Sequence, residues 1–180
     1  MSGLRTIENY TAEVINICPQ ETEGEIIEIS GLHIQLPAVP DHKNILFYDK
    51  SKEDQRWMRI DTPPELKRVR SMDEWAEKPK EFRDKYSKYI EGEFQRRRNG
   101  VWFYNNGTPT YITGRHYMLL QWSKMDIGYP SYLEFQRRLF VHFAACESDP
   151  RSLGQIFTKC RRSGYTNISA AILADEGTQV

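Results

Sequence analysis

The sequence predicts an α/β fold, and three stretches carry that prediction. Residues 154–159 read as a short strand centred on Ile156-Phe157; the tight loop 160–164 follows, and 165–174 read as a helix. Phe82, Tyr86, Tyr89, Ile90 and Phe94 recur at helical spacing, with Asp84, Lys85, Lys88 and Glu91 on the opposite side. Val101-Trp102-Phe103-Tyr104 and Thr110-Tyr111-Ile112 flank Asn105-Asn106-Gly107, which reads as a hairpin because Asn and Gly tolerate positive φ. On this spacing the turn is longer than two residues, so its type stays open.

The length of 180 residues suits one domain, or a domain with an extended arm. Hydrophobic residues make up 39% and charged residues 28%, so the core is expected to be small. Residues 1–79 read as a loop-rich arm. Within it, 25–29 and 31–36 offer two short strands, Pro37 and Pro40 break regular structure, and 65–70 form one or two helical turns after Pro63-Pro64. Residues 80–180 hold the stronger signals. The first helix ends at Asn99-Gly100, and Thr113-Gly114 introduces a second over 115–122. A third is expected over 131–145, with Leu133, Leu139, Phe140 and Phe143 as its apolar side and Asp149-Pro150 closing the segment.

Composition excludes several classes. Lys+Arg and Asp+Glu both number 25, so any nucleic-acid contact must come from local patches rather than a global positive field. Cys18, Cys146 and Cys160 are far apart and form no CxxC pair, which argues against a zinc site or a disulfide framework and suits a reducing cytoplasm. The N-terminus has no apolar signal core, and no apolar run approaches a membrane span, so a soluble intracellular protein is expected. The four histidines show no metal-ligand spacing, and no Ser/His/Asp or Cys/His arrangement can be argued. Trp57, Trp75, Trp102 and Trp122 read as core or interface anchors. Arg96-Arg97-Arg98 reads as a solvated helix end favoured by the macrodipole, and Lys67-Arg68-Val69-Arg70 as a second basic run. Glu93-Phe94-Gln95-Arg96-Arg97 returns almost verbatim at 134–138, read as coincidence between amphipathic helices.

The chemistry is expected at Lys159-Cys160-Arg161-Arg162-Ser163-Gly164-Tyr165-Thr166. A loop between strand and helix turns backbone N–H groups toward one point, and the helix adds its positive end, so an anion is favoured twice. Gly164 permits close approach of a phosphate, and Thr166 can place its hydroxyl on a magnesium ion. The usual phosphate loop ends Gly-Lys-Ser/Thr; here Tyr165 takes the lysine's place, while Lys159 stands at the front with Arg161 and Arg162 behind it. Phosphoryl transfer needs such cations. The competing readings are a solvated basic turn and, for Thr166, an ordinary helix cap.

Lys-x-x-Arg-x-Gly-Tyr-Thr resembles the deviant Walker A loop of lambda-type terminase large subunits, where the lysine stands at the front. Arg161-Arg162-Ser163-Gly164 also matches the frame of other tailed-phage terminases, except at the lysine. The stretch Leu133-Glu134-Phe135-Gln136-Arg137-Arg138-Leu139 is similar to the terminase adenine-recognition segment, and 99–117 to the segment preceding the motor in crAss-like phages. The resemblance covers about residues 95–175. It implies an incomplete P-loop NTPase, strand–loop–helix, preceded by an α+β region with a hairpin and helices. It implies an ATP site of Phe135, Gln136, Arg137, Lys159, Cys160, Arg161, Arg162, Ser163, Gly164, Tyr165 and Thr166. Gln136 would read the adenine edge, with Phe135 or Tyr132 stacking on the base. Lys159 and Arg162 would serve phosphoryl transfer, and Thr166 would hold magnesium.

By the same resemblance the cofactors are ATP and magnesium. The partners of the complete protein are double-stranded DNA, a portal and procapsid, a small terminase subunit, and further copies in a ring. Its place is the host cytoplasm and, transiently, the portal vertex, with no membrane. The chain ends at Val180, one helix past the loop, so a fragment with negligible hydrolysis of its own is expected, lacking the second acidic strand and the nuclease. The competing class is a non-enzymatic nucleic-acid or protein adaptor whose Arg-rich turns touch phosphate backbones.

Overall fold

Alternation of apolar and polar residues builds the first sheet. β2 (Ile26–Ile29) and β3 (Leu32–Gln35) pair antiparallel across the turn Ser30-Gly31, whose φ values of 52° and 79° suit a tight hairpin. Ile29, Leu32 and Ile34 face inward while Glu28 and His33 face out. A third strand that the sequence reading lacks, β1 (Val14–Asn16), adds parallel to β3, giving the order β1-β3-β2. The computed structural model describes residues 13–18, 24–47, 56–69, 71–126, 128–156, 158 and 164–177.

After a 3-10 turn at Leu66–Arg68, helix α1 (Met72–Ala76) is capped by Ser71, whose hydroxyl accepts from Glu74 N–H at 3.1 Å. Helix α2 (Lys80–Asn99) follows Pro79 and ends at Gly100 as expected. β4 (Val101–Asn105) and β5 (Thr108–Ile112) form the second sheet. Asn105 pairs with Thr108, so the turn is only Asn106-Gly107, with φ of 50° and 77°; the longer turn read from sequence is corrected. Thr113 caps α3 (Gly114–Trp122).

Helix α4 (Glu134–Ser148) starts three residues later than predicted, because Leu133 is extended at φ −135°, ψ 131°. Its buried stripe is Gln136, Phe140, Val141 and Ala145, while Leu133 is 46% exposed. The apolar face is therefore rotated from the one expected. Helix α5 (Tyr165–Glu176) closes the described chain.

The strand expected at 154–159 is not present in its described part, 154–156 and 158. Leu153 and Ile156 are fully exposed, and no described strand lies beside them to complete a ladder. Phe157 and residue 159 lie outside the described residues. The described residues are thus mixed α/β, helices with two small sheets.

Three apolar clusters bind the elements together. Sheet one packs Ile15, Ile29, Leu32 and Ile34 on Trp102, Tyr104, Tyr111 and on Val141 and Ala145 of α4. Phe103, Ile112, Tyr117 and Leu120 form a second cluster, with Trp57 edge-on to Phe103 and Tyr117. Leu119, Phe140, Ile168 and Ala171 form the third and seat α5. Each fully buried large side chain contributes roughly 1.5–3 kcal/mol.

Candidate functional site

The site is built around the helix that leaves the predicted phosphate loop. α5 begins at Gly164, which sits in the left-handed region at φ 75°, ψ 4°. A Cβ on Gly164 would meet no described atom within 4 Å. Among the described residues no side chain caps the helix, and its first turn holds no acidic residue. The other helices differ: α1 has Ser71, Asp73 and Glu74, α2 has Glu81, α3 has Thr113 and α4 has Glu134 in these roles. Among the described residues, α5 alone leaves its positive end with neither cap nor carboxylate.

A cavity of about 460 Å³ borders this end, lined by Phe143, Cys146, Glu147, Asp149, Gln155 and Tyr165. Its carboxylates are already paired. Glu147 is bound by Arg115, and Asp149 accepts from Arg151 Nε at 2.8 Å and from the second guanidinium nitrogen at 2.9 Å. Burial holds the His142 imidazole below its ordinary value, and its Nδ1 lies 3.8 Å from Cys146 Sγ. A larger cavity, about 900 Å³, lies elsewhere, between residues 59–75, α2 and α3. Its walls include Tyr89, Phe94, Trp122 and Tyr129, with the Arg59 guanidinium 3.4 Å from the centre of the Tyr129 ring. Size does not assign chemistry. The smaller cavity touches the helix start and the larger one does not.

The predicted site residues divide accordingly. Lys159, Cys160, Arg161, Arg162 and Ser163 lie outside the described residues. Gly164, Tyr165 and Thr166 stand together at the helix start, with Thr166 exposed. Gln136, Phe135 and Arg137 are at the opposite end of α4 from the residues bordering Tyr165; Gln136 precedes Phe143 by seven positions, roughly 10 Å along the helix. Phe135 is 47% exposed. Gln136 is buried, and its amide oxygen has no hydrogen-bond partner among the described residues. Arg137 is held by Glu134, donating from Nε at 2.9 Å and from a terminal nitrogen at 2.7 Å. Burial pushes the Glu134 carboxyl up, but hydrogen bonds from Arg137 and Tyr132 outweigh it and hold the group below its ordinary value.

The basic helix end at 96–98 is not simply solvated. Arg96 donates to Glu93 at 2.5 Å, and the buried Glu93 carboxylate also accepts from Tyr117 Oη at 2.7 Å and Trp122 Nε1 at 3.1 Å. Arg97 donates to Asp175 of α5 at 2.8 Å. The near-repeat at 93 and 134 makes the same (i, i+3) Glu–Arg bridge twice, and a tyrosine donates to each carboxylate. Asp175, Arg115 and Gln121 escaped the sequence reading. Gln121 is fully buried and clamps the backbone of Ile60, accepting at 2.9 Å and donating at 2.8 Å. The one local signal was a charged residue inside an apolar helix, as at Asp175.

Among the described residues no group of His, Cys, Asp and Glu could hold a metal ion, and no helix is long and apolar enough to cross a membrane. No protein-family model, curated protein or solved structure matches the chain.

Proposed function

We propose that this chain is the ATP-binding front part of a DNA-packaging motor of the large-terminase type, taking magnesium–ATP where the phosphate loop enters α5. The observation that carries this reading is the start of α5: a left-handed glycine with, among the described residues, no side-chain cap and no carboxylate in the first turn. Such a helix end offers backbone N–H groups and partial positive charge to an anion. Directly ahead of it the sequence supplies Lys159, Arg161 and Arg162, cations suited to charge on a transferring phosphoryl group. Thr166 fits magnesium as a single hydroxyl ligand, the other positions falling to phosphate oxygens and water. Bound magnesium would neutralise phosphate charge. Packaging of double-stranded DNA through a portal belongs to the complete motor with its ring of copies.

Titration with a fluorescent ATP analogue tests the reading. Binding is expected to saturate, to require magnesium and to disappear in Lys159→Ala. Gln136→Leu separates two roles for that residue. As the adenine reader its loss weakens binding roughly tenfold, about 1.4 kcal/mol; as a core residue the leucine leaves binding untouched and raises stability. Salt-sensitive DNA binding with no nucleotide effect would instead establish the adaptor.

A further inference from the structure

The far end of α5 is held by charge. Asp175, wholly buried in the last turn, accepts from Arg97 of α2 at 2.8 Å and lies 3.9 Å from Arg115 Nε of α3. Arg115 reaches on to Glu147 of α4 and Glu176 of α5, so four helices meet at one cluster. Gly114 makes the convergence possible. A Cβ there would stand 1.8 Å from the Arg97 carbonyl oxygen, and without one α3 starts directly against the end of α2.

A carboxylate is a poor choice for this position on two grounds. The C-terminal end of a helix carries negative partial charge. Burial also disfavours an ion, and well-packed apolar groups of the same volume often serve as well or better. What ion pairs supply and apolar contact does not is direction. The apolar seat of α5 is thin, chiefly Ile168 and Ala171 with Ile172 beside them, while Leu173 is 72% exposed. Such a seat leaves rotation about the helix axis and sliding along it weakly fixed. The Arg97 hydrogen bond from α2 fixes Asp175 in direction, and Arg115 of α3, an ion-pair neighbour at 3.9 Å, ties the same turn to α3 through its bond to Glu176.

We propose that Asp175 is a positioning residue for the anion site at the other end of α5. The charge cluster sets the rotation and axial position of the helix, and so the direction in which its first-turn N–H groups point. Asp175 stands ten residues from Tyr165, about 15 Å along a rigid helix. The proposal rests on the nucleotide reading above.

Asp175→Asn keeps the shape and removes the charge. Its expected effects are a roughly tenfold loss of affinity for the fluorescent ATP analogue, as small misplacements of binding groups produce, and faster amide exchange at Asn167 and Ile168 in the distal first turn. Circular dichroism should be unchanged. Arg115→Met is the second variant, since it leaves the Arg97–Asp175 pair in place and decides the matter if Asp175→Asn does not fold; a smaller loss in the same direction is expected. A folded variant with wild-type exchange at 167 and 168 and wild-type affinity overturns the positioning role alone. A wild-type protein that binds no nucleotide overturns the nucleotide reading, and this proposal with it.

Discussion

His116 shows how much a single residue can hold against a fold. It is fully buried in α3, its ring stacked between Tyr132 at 5.8 Å and Phe140 at 4.9 Å, and neither nitrogen has a hydrogen-bond partner among the described residues. Burial, aided by the charge of Arg137, pushes the imidazole down to about 3, so it is neutral at physiological pH. A neutral imidazole still carries a donor and an acceptor, and leaving buried polar groups unsatisfied costs about 1–3 kcal/mol. His116→Phe keeps a flat ring between the two aromatics and removes that cost. We expect it to stabilise the chain by about 1–2 kcal/mol at pH 7, whereas His116→Ala should lose about 3 kcal/mol to the cavity. Urea unfolding measures both. A phenylalanine variant less stable than wild type would mean that the nitrogens do have partners.

At the scale of elements, the α2–hairpin–α3 unit is where local sequence and tertiary contact can be separated. Gly107 and Gly114 differ in what surrounds them. Gly107 has φ 77° and open space around its missing Cβ, so Gly107→Ala should cost about 1 kcal/mol of backbone strain. Gly114 is pressed on the Arg97 carbonyl, so Gly114→Ala must push α3 off α2 and disturb the cluster that Arg97 and Arg115 form around Asp175; about 3 kcal/mol is expected, the upper end of overpacking. Equal losses in chemical denaturation would show that the close approach is relieved elsewhere. The same division explains what was legible in the sequence. The hairpin at 101–112 and the helices 80–99 and 114–122 announced themselves through Asn-Gly, Thr113 and apolar periodicity, all local signals, and the helix read over 165–174 runs to Glu176. The run around Ile156 misled because a short apolar stretch reads as a strand whether or not a partner lies beside it. The inward turn of Gln136 was hidden because a glutamine on a buried stripe looks polar in sequence. Arg97 and Asp175 meet across 78 positions, a contact with no local trace.

For the molecule as a whole, α4 joins the clusters: Val141 and Ala145 belong to the sheet core and Phe140, stacked on His116, to the seat of α5. The His116 imidazole, at about 3 when folded and 6.5 when free, makes the direction of the effect of acid definite. Between these values the unfolded chain binds a proton at this residue and the native chain does not. Stability contributed by the neutral ring is therefore complete above pH 6.5 and falls with pH, by about 1.4 kcal/mol per pH unit, until the folded value is reached. His142, lowered by burial, acts in the same direction just below pH 6.5. Glu134, lowered on balance by Arg137 and Tyr132, joins only below its ordinary 4.5, when its unfolded form takes up a proton first. The interval from pH 5 to 6 thus isolates the histidines from this carboxylate. Urea unfolding of wild type and His116→Phe across that interval should give stabilities that diverge as pH falls, by about 1.4 kcal/mol per unit, and run parallel above pH 7.5. Parallel curves throughout would mean that residue 116 takes up its proton in the folded chain, which its aromatic enclosure could not allow without opening between α3 and α4.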